Sequence, residues 1–304
     1  MKLIRPVIID DAIFQSSTVA EADQAEWVSG TTYHVGDLVM VTTTANGAAT
    51  ATHKIYSSVH SNAGNDPTVD DGTSWTEVSS TNRWKLFNGI VQEQTEKAGG
   101  MEYVLQSPTV VNSLALINVD CAEVTVTVDD ATEGQVYNQT FSLISDSGIQ
   151  DWYAYFFEPI ARDDRLAILD LPPYANADIT VTFTDTGTAK CGALIIGQFA
   201  DLGFSQHGAS YSIIDYSTKT TDSQGRVTIT DGPYANKLDV DVILDTAVFG
   251  TVRNILADLR TTPCAWIAEE NNRNSIVYGY YREFDIILSN PTTSRCSLEI
   301  EGLV

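Results

Sequence analysis

Apolar and polar positions alternate in short runs along most of the chain, a pattern typical of β-strands. The run over residues 122–128 is the most regular, because valines occupy one face and threonines the other. Further runs follow one another between residues 103 and 199, with turn residues between them. This spacing predicts a mainly β fold whose body is a β-sandwich of the jelly-roll type.

The strands predicted for this body are short and closely spaced. They cover residues 103–105, 113–119, 122–128, 137–144, 152–157, 165–171, 178–184 and 190–199. The segment from Trp152 to Phe157 is predicted to be an aromatic strand. Residues 1–19 also run apolar and are assigned to the body as a first strand or extended arm. Pro6 predicts an edge position for that strand, because proline has no N–H to donate to a neighbouring strand.

The pattern changes after Gly203 and predicts a C-terminal α+β domain. A helix begins at Asp245 or Thr246, which can cap it, and ends near Arg260, before Pro263. Its apolar positions have helical spacing and are Val248, Val252, Ile255, Leu256 and Leu259. Strands are predicted at 211–217, 227–229, 238–244, 264–268, 275–281, 283–289 and 294–303, with a polar hairpin turn at 222–226.

Between residues 20 and 87 large apolar residues are few, and aromatic rings are separated by short polar, glycine-rich turns. Such a stretch predicts a small all-β module that buries a cluster of rings and is steadied by a larger neighbour. The module interrupts the body after its first strand. We therefore predict a β-sandwich domain of residues 1–20 plus 88–202, an inserted module of residues 21–87, and a C-terminal domain of residues 203–304.

The order of residues in the module is similar to that of the carbohydrate-binding modules of families 5 and 12, which also occur in phage tail proteins. The matching positions are Trp27, Tyr33, Gly36, Asp37, Val39, Tyr56, Pro67 and Trp75. The resemblance implies that Trp27, Tyr33, Tyr56 and Trp75 are carbohydrate-binding residues. Chitin-binding members carry a further exposed aromatic residue just after the middle tyrosine, where this chain has Ser57 to His60.

Two interpretations of these four rings remain open at this point. In the first, at least one ring is exposed and stacks on a sugar, giving weak, multivalent binding of a host-surface glycan. In the second, all four rings form the core of the module, which then acts as a structural spacer.

Charge and cysteine content narrow the classes of function. Lys and Arg number 17 against 40 Asp and Glu, so 17 − 40 gives a formal net charge of −23. This balance argues against binding of a nucleic-acid backbone or an anionic membrane. It fits solubility, a cation-binding role or assembly with basic partners, and the balance alone does not choose among them. The opening residues predict no signal peptide, and the hydropathy predicts no membrane span. Four scattered cysteines without a Cys-x-x-Cys pair are predicted to be buried and reduced.

No catalytic constellation stands out in the sequence. The histidines are His34, His53, His60 and His207, and none lies in a hydrolase or zinc-protease motif. Adjacent carboxylates are frequent, but in so acidic a chain they are typical of solvated turns. The turn at 129–134 contains carboxylate and hydroxyl oxygens but is only a weak match to a calcium loop. We predict no enzyme activity, no catalytic residue, no cofactor and no metal site.

A second resemblance covers most of the chain. The segments that carry it are 82–87, 215–219, 222–225, 256–260, 263–267, 278–280, Phe284 and 296–303. They look like a group of tailed-bacteriophage virion proteins of the tail or baseplate. The resemblance implies a structural protein of the virion tail, made in the host cytoplasm. Its partners are other tail or baseplate proteins, and exposed strand edges predict a homo-oligomer, a trimer or a hexamer. The alternative is a carbohydrate-active enzyme or a non-viral polysaccharide-binding protein.

Overall fold

The computed structural model describes residues 1–145, 151–157, 161–269, 272–287 and 290–303. The strands of the first half are β1 (Lys2–Pro6), β2 (Phe14–Ser17), β3 (Ala25–Glu26), β4 (Thr32–Tyr33), β5 (Leu38–Val41), β6 (Lys54–Ser58), β7 (Asn62–Ala63), β8 (Trp75–Ser80), β9 (Thr95–Ala98), β10 (Met101–Gln106), β11 (Ser113–Asp120), β12 (Glu123–Asp130) and β13 (Gly134–Ser142).

The second half continues with strands and two α-helices. These are β14 (Ile144–Ser145), α1 (Trp152–Phe157), β15 (Ala161–Arg162), β16 (Arg165–Ile168), β17 (Asp178–Thr184), β18 (Thr188–Asp201), β19 (Phe204–Ser205), β20 (Ser210–Asp215), β21 (Thr218–Thr221), β22 (Val227–Thr230), β23 (Tyr234–Asp245), α2 (Phe249–Asp258), β24 (Cys264–Ile267), β25 (Ile276–Ile287) and β26 (Thr293–Gly302). Short 3₁₀ helices cover Lys85–Phe87, Thr246–Val248 and Arg273–Ser275.

Two sheets form the sandwich-like body. The smaller sheet has five strands in the order β13-β12-β17-β10-β2. It packs on the β11 and β18 end of an eleven-stranded sheet, and residues of both sheets share one apolar core. Val124, Val126 and Val128 of β12 are buried there while the intervening threonines are half-buried. The predicted mainly β fold with a sandwich-like body is therefore confirmed.

The large sheet continues from the body into the C-terminal part of the chain. Its order is β16-β11-β18-β1-β24-β25-β26-β23-β19, with β9 paired to β18 and β20 paired to β23. Helix α2 packs on the C-terminal half through Val252, Ile255 and Leu256. The expected helix after Asp245 is thus present, and the Asp245 carboxylate accepts a hydrogen bond from the Ala247 amide at 2.8 Å.

Strand β1 lies inside the large sheet rather than at its edge. It pairs with β18 over Lys2–Pro6 and with β24 over residues 2–4. The edge position predicted from Pro6 is therefore wrong. The proline is tolerated because β24 stops pairing two residues earlier, so Pro6 faces only β18. The boundary predicted at residue 203 does not coincide with a break in this sheet.

The segment Trp152–Phe157 is a short α-helix, so the aromatic strand predicted there is wrong. Its rings pair at a spacing of four residues, which is the spacing that a helix brings together. Trp152 stacks on Phe156 with ring centroids 6.2 Å apart, and Tyr153 contacts Phe157 at 5.0 Å. The two strands predicted at 275–281 and 283–289 are one strand, β25, with a bulge between Tyr281 and Glu283. Residues 288 and 289 of the second predicted strand lie outside the described residues.

The inserted module has its own small sheets. Strands β3-β5-β6-β8 form one sheet and β4-β7 another. A compact core joins them, made of Trp27, Tyr33, Val39, Val41, Ala48, Tyr56 and Trp75. Residues 42–53 connect β5 and β6.

We expect Gly197→Ala to destabilise the protein by about 2–3 kcal/mol, because overpacking a close backbone contact forces the strands apart. Gly197 of β18 faces Pro6 of β1, and a Cβ there would lie 1.8 Å from the Arg5 carbonyl oxygen. The matched control is Gly250→Ala in α2, where a Cβ meets nothing within 4 Å. That change should stabilise the helix by up to about 1 kcal/mol. Urea denaturation of both variants measures the difference, and equal stabilities would contradict this account of β1.

Candidate functional site

The four rings named as carbohydrate-binding residues lie in the interior of the module. Trp27, Tyr33, Tyr56 and Trp75 have exposed fractions of 1%, 8%, 7% and 2%. Tyr33 and Trp75 meet edge to face, with ring centroids 5.1 Å apart. The structure therefore does bring these residues together, but as a core and not as a surface.

The polar groups of three of these rings also form hydrogen bonds within the module. The Trp75 indole N–H donates to the Asn65 carbonyl oxygen at 2.9 Å. The Tyr33 hydroxyl accepts from the Val28 amide at 2.8 Å, and the Tyr56 hydroxyl donates to Thr52 Oγ1 at 3.1 Å. Buried aromatic residues satisfy their polar ends in this way, which fixes the rings in place.

The expectation that at least one of the four rings is exposed is wrong. The module has so few aliphatic residues that the rings must supply its core. Its large exposed apolar side chains are scattered aliphatic residues, namely Val28, Val35, Leu38, Val59, Val69 and Val78. No flat aromatic face is therefore available for stacking on a sugar within residues 21–87.

A cluster of charged side chains holds the module to the body. We call it the joint cluster, and it consists of Asp11, Glu21, His53 and Arg83. The His53 ring lies between two carboxylates, with Nδ1 2.9 Å from Glu21 Oε1 and Nε2 2.9 Å from Asp11 Oδ1. Glu21 also lies 3.3 Å from an Arg83 guanidinium nitrogen. The His53 and Glu21 side chains are 14% and 7% exposed.

Stacking completes the joint. The His53 ring lies flat against Trp84, with centroids 4.2 Å apart and an interplanar angle of 20°. Trp84 in turn contacts Phe14 of the body at 5.2 Å. His53 has a φ of +55°, a left-handed conformation that is uncommon outside glycine. Its backbone is held there by hydrogen bonds from His53 N to the Val41 carbonyl and from Thr81 N to the His53 carbonyl, both at 2.9 Å.

Protonation of His53 is coupled to this geometry. Burial lowers the pKa of His53, but hydrogen bonds and charge from Glu21 and Asp11 outweigh it, so the pKa is raised above 6.5. Burial raises the pKa of Glu21, yet its hydrogen bonds to His53 and Thr81 and the nearby cations bring it below 4.5. The joint is thus an ion pair whose two partners each favour the charged form of the other.

The cysteines and the acidic turn at 129–134 lie in surroundings that indicate a structural role. All four cysteines are buried and free of disulfides, as predicted. Burial raises the pKa of Cys121, Cys264 and Cys296 to about 12, which disfavours the reactive thiolate. In the acidic turn at 129–134, Asp130 Oδ1 accepts hydrogen bonds from the Thr132 and Glu133 amides. Within the described residues, no group of three or more His, Cys, Asp or Glu side chains is arranged to hold a metal ion.

A long β-hairpin extends from the edge of the large sheet. We call residues 217–230 the β arm. Strand β20 leads into it while still paired with β23, whereas β21 and β22 pair with each other. Every residue from 218 to 231 is exposed. Val227 and Ile229 are 61% and 65% exposed on one face, and four threonines (Thr218, Thr220, Thr228 and Thr230) form the other.

Comparison with protein-family models, with curated proteins and with solved structures finds no match to this chain. Among the described residues, no helix has the length and apolarity needed to cross a bilayer. The functional interpretation therefore depends on the geometry above and on the two resemblances in the sequence.

The joint cluster was not predicted, because His53 stands in a turn-rich loop like the other histidines of the module. A weak signal was available in Glu21 and Arg83, which are charges at the two ends of the insertion. The β arm was predicted as strands and a turn, but not as a projection. Its alternation of threonine with valine and isoleucine has the same appearance as that of a packed strand.

We expect Trp75→Ala to destabilise the module by about 3–5 kcal/mol, because it removes a large buried ring. Val69→Ala, at a position 70% exposed, is the matched control and should change little. In the wild type, chitin fragments should leave the tryptophan emission of the module unchanged. Calorimetry and fluorescence titration check both points. Loss of sugar binding in a fully folded Trp75→Ala variant would contradict the burial of this ring.

The joint should be strongest between pH 4.5 and 6.5. The raised pKa of His53 contributes stability that is complete below 6.5 and is lost as pH rises through its folded-state pKa. The lowered pKa of Glu21 contributes stability that is present above 4.5 and is lost as pH falls through its folded-state pKa. Thermal melting from pH 4 to 9 should therefore fall on the alkaline side in the wild type.

The variant His53→Gln should flatten the alkaline limb of that profile, because the glutamine side chain does not titrate. His34→Gln removes an exposed histidine from the same module and should leave the limb intact. Identical pH profiles for the wild type and His53→Gln would show that the joint does not depend on the His53 charge.

Proposed function

We propose that this protein is a non-catalytic structural component of the tail or baseplate of a tailed phage. It assembles with copies of itself and with neighbouring tail proteins. The inserted module acts as a spacer that the body displays, and attachment to a host glycan, if it occurs, uses groups other than the four buried rings. The β arm is the single observation that carries this proposal.

The β arm is preformed, and it is tied to the rest of the chain at its base, where Lys219 pairs with Asp215 at 3.0 Å and Ser217 Oγ accepts a hydrogen bond from the Gly232 amide at 3.1 Å. Its turn is fixed by Asp222, which accepts backbone hydrogen bonds from Gln224 and Arg226 at 2.8 Å, while Gly225 adopts a φ of +80°. A two-stranded hairpin is at best marginally stable in water. An arm that exposes Val227 and Ile229 is stabilised when it lies on another surface, which is the behaviour expected of an assembly element.

Charge favours another copy of the chain as the neighbour that receives the β arm. The arm contains Lys219, Arg226 and Asp222, so 2 − 1 gives +1, and the rest of the chain carries −23 − 1, or −24. Copies of so acidic a protein repel one another unless they touch through a segment that does not share the negative net charge of the rest of the chain. The β arm is such a segment, and Arg226 at its turn is the cation that we expect to contact the carboxylates of a neighbour, since Lys219 pairs with Asp215 of its own chain.

The second resemblance supports the assignment to a phage tail. Its segments fall mainly on the β arm and on the sheet next to it. Residues 215–219 and 222–225 form the base and turn of the arm, while 263–267, 278–280 and 296–303 lie in or at the ends of β24, β25 and β26. Residues 82–87 form the joint to the module, where Leu86 enters the core of the body.

The test uses phage particles assembled with variant chains. We expect the protein in purified virions, and we expect Val227→Asp combined with Ile229→Asp to remain folded but to be lost from particles. The control, Thr220→Asp with Thr228→Asp, adds the same charge to the opposite face of the arm and should be incorporated more efficiently. Mass spectrometry of purified particles and circular dichroism of the free variants provide the readouts.

Three outcomes would contradict the proposal. Absence of the chain from purified virions would remove the assignment to the tail. Equal incorporation of both double variants would remove the β arm from assembly. Polysaccharide hydrolysis by the purified wild type would favour the alternative of a carbohydrate-active enzyme.

A further inference from the structure

Helix α1 presents four large aromatic side chains to solvent. We call Trp152, Tyr153, Phe156 and Phe157 the aromatic tip. Their exposed fractions are 78%, 68%, 67% and 73%. Monomeric proteins seldom expose contiguous apolar patches of this kind, and such patches mark interaction sites. The four buried rings of the module are thus matched by four exposed rings elsewhere.

The described residues nearest to the aromatic tip on either side in the sequence are fixed to the body. Ile144–Ser145 pairs with Ala161–Arg162, and the preceding Leu143 is fully buried. Arg162 donates to Asp120 Oδ1 at 2.6 Å and lies 2.9 Å from Asp185 Oδ2. The two ends of the segment that carries the aromatic tip are therefore held close together on the body.

The area of the aromatic tip is close to what a stable contact needs. Four aromatic rings at about seven-tenths exposure offer roughly 400–700 Å². A standard interface buries about 800 Å² on each partner, and aromatic anchors near its centre supply most of its affinity. The tip therefore requires only a modest surrounding contact.

A groove on the same chain has the complementary chemistry. Its volume is about 310 Å³, and its lining contains no charged residue. Ile8, Phe87, Ile195, Pro263 and Tyr278 are among its apolar lining residues, and Ile8 is 84% exposed. Aromatic anchors bind in apolar pockets of this kind, where they are fully desolvated.

We propose that the aromatic tip of one protomer docks in this groove of a second copy of the chain. Charge again selects the site, since neither the four rings nor the groove carries a charge in a chain with a net charge of −23. Asp151 and Glu158 flank the four rings in the sequence, so the proposed contact depends on the uncharged rings and groove lining and not on ion pairs. The contact is heterologous, because tip and groove are different surfaces, so its repetition generates a closed ring or a filament.

This inference rests on the proposed assembly of copies but concerns a contact separate from the β arm. Mixing two singly substituted proteins tests it between chains. Phe156→Cys mixed with Ile8→Cys should form a disulfide-linked dimer about tenfold or more faster than Phe156→Cys mixed with Val69→Cys, because docking raises the effective concentration. Val69 is exposed on the module and serves as the matched control. The buried native cysteines give a low background.

A second measurement uses sedimentation of the intact protein. Trp152→Ala combined with Phe156→Ala should weaken the concentration-dependent association of the wild type, while near-ultraviolet circular dichroism of the rest of the molecule stays native. If Phe156→Cys cross-links to Ile8→Cys and to Val69→Cys at equal rates, the proposed contact is overturned, even if virions contain the protein. Absence from virions with rapid, selective cross-linking would instead contradict the function in the tail and leave the contact standing.

A lipid surface is the competing occupant of the aromatic tip. Flotation with phosphatidylcholine vesicles distinguishes it. Binding of the wild type but not of the double alanine variant, without selective cross-linking, would overturn docking between copies in favour of membrane contact.

Discussion

The position of β1 in the middle of the large sheet is the constraint on which the rest of the structure depends. Its backbone pairs with β18 on one side and β24 on the other. Leu3 is buried in the core beneath α2, and Ile4 is buried on the opposite face of the sheet. The first residues of the chain therefore join β18 of the body to β24, residues 264–267, in one sheet. Pairing across so large a sequence separation makes folding slow and makes body and C-terminal part interdependent.

A shortage of aliphatic residues explains the structure of the inserted module. A unit of this size cannot form a core from aliphatic residues that it does not have, so its aromatic rings turn inward. Stability beyond that core comes from the joint cluster, where His53 contacts groups on both sides of the insertion. A residue pattern shared with sugar-binding modules is thus compatible with a unit whose rings only hold it together.

Sequence reasoning succeeds where local alternation and burial agree, and it fails where tertiary context decides. The valines of β12 and the apolar face of α2 were predictable because each side chain points where its period demands. In β11 and β18 the buried phase changes at Asn118, with φ +54°, and at Gly192, beside which the Val91 carbonyl packs. No periodicity reveals that shift. The exposed helix α1 could not be predicted either. Aromatic residues are enriched both in strands and at interfaces, so a run of them does not distinguish the two.

Trp27 and Trp152 show why residue type alone does not separate core from surface. Trp27 is 1% exposed because its module has no other means of forming a core, whereas Trp152 is 78% exposed on α1. An exposed ring leaves apolar surface in contact with water, and patches of such rings are typical of interaction sites. Two separate elements offer exposed apolar side chains, the β arm through Val227 and Ile229 and the aromatic tip through its four rings. Burial of such side chains against another surface is favourable whatever the net charge of the chain, which is why these elements, rather than the acidic surface, are the contacts that we propose.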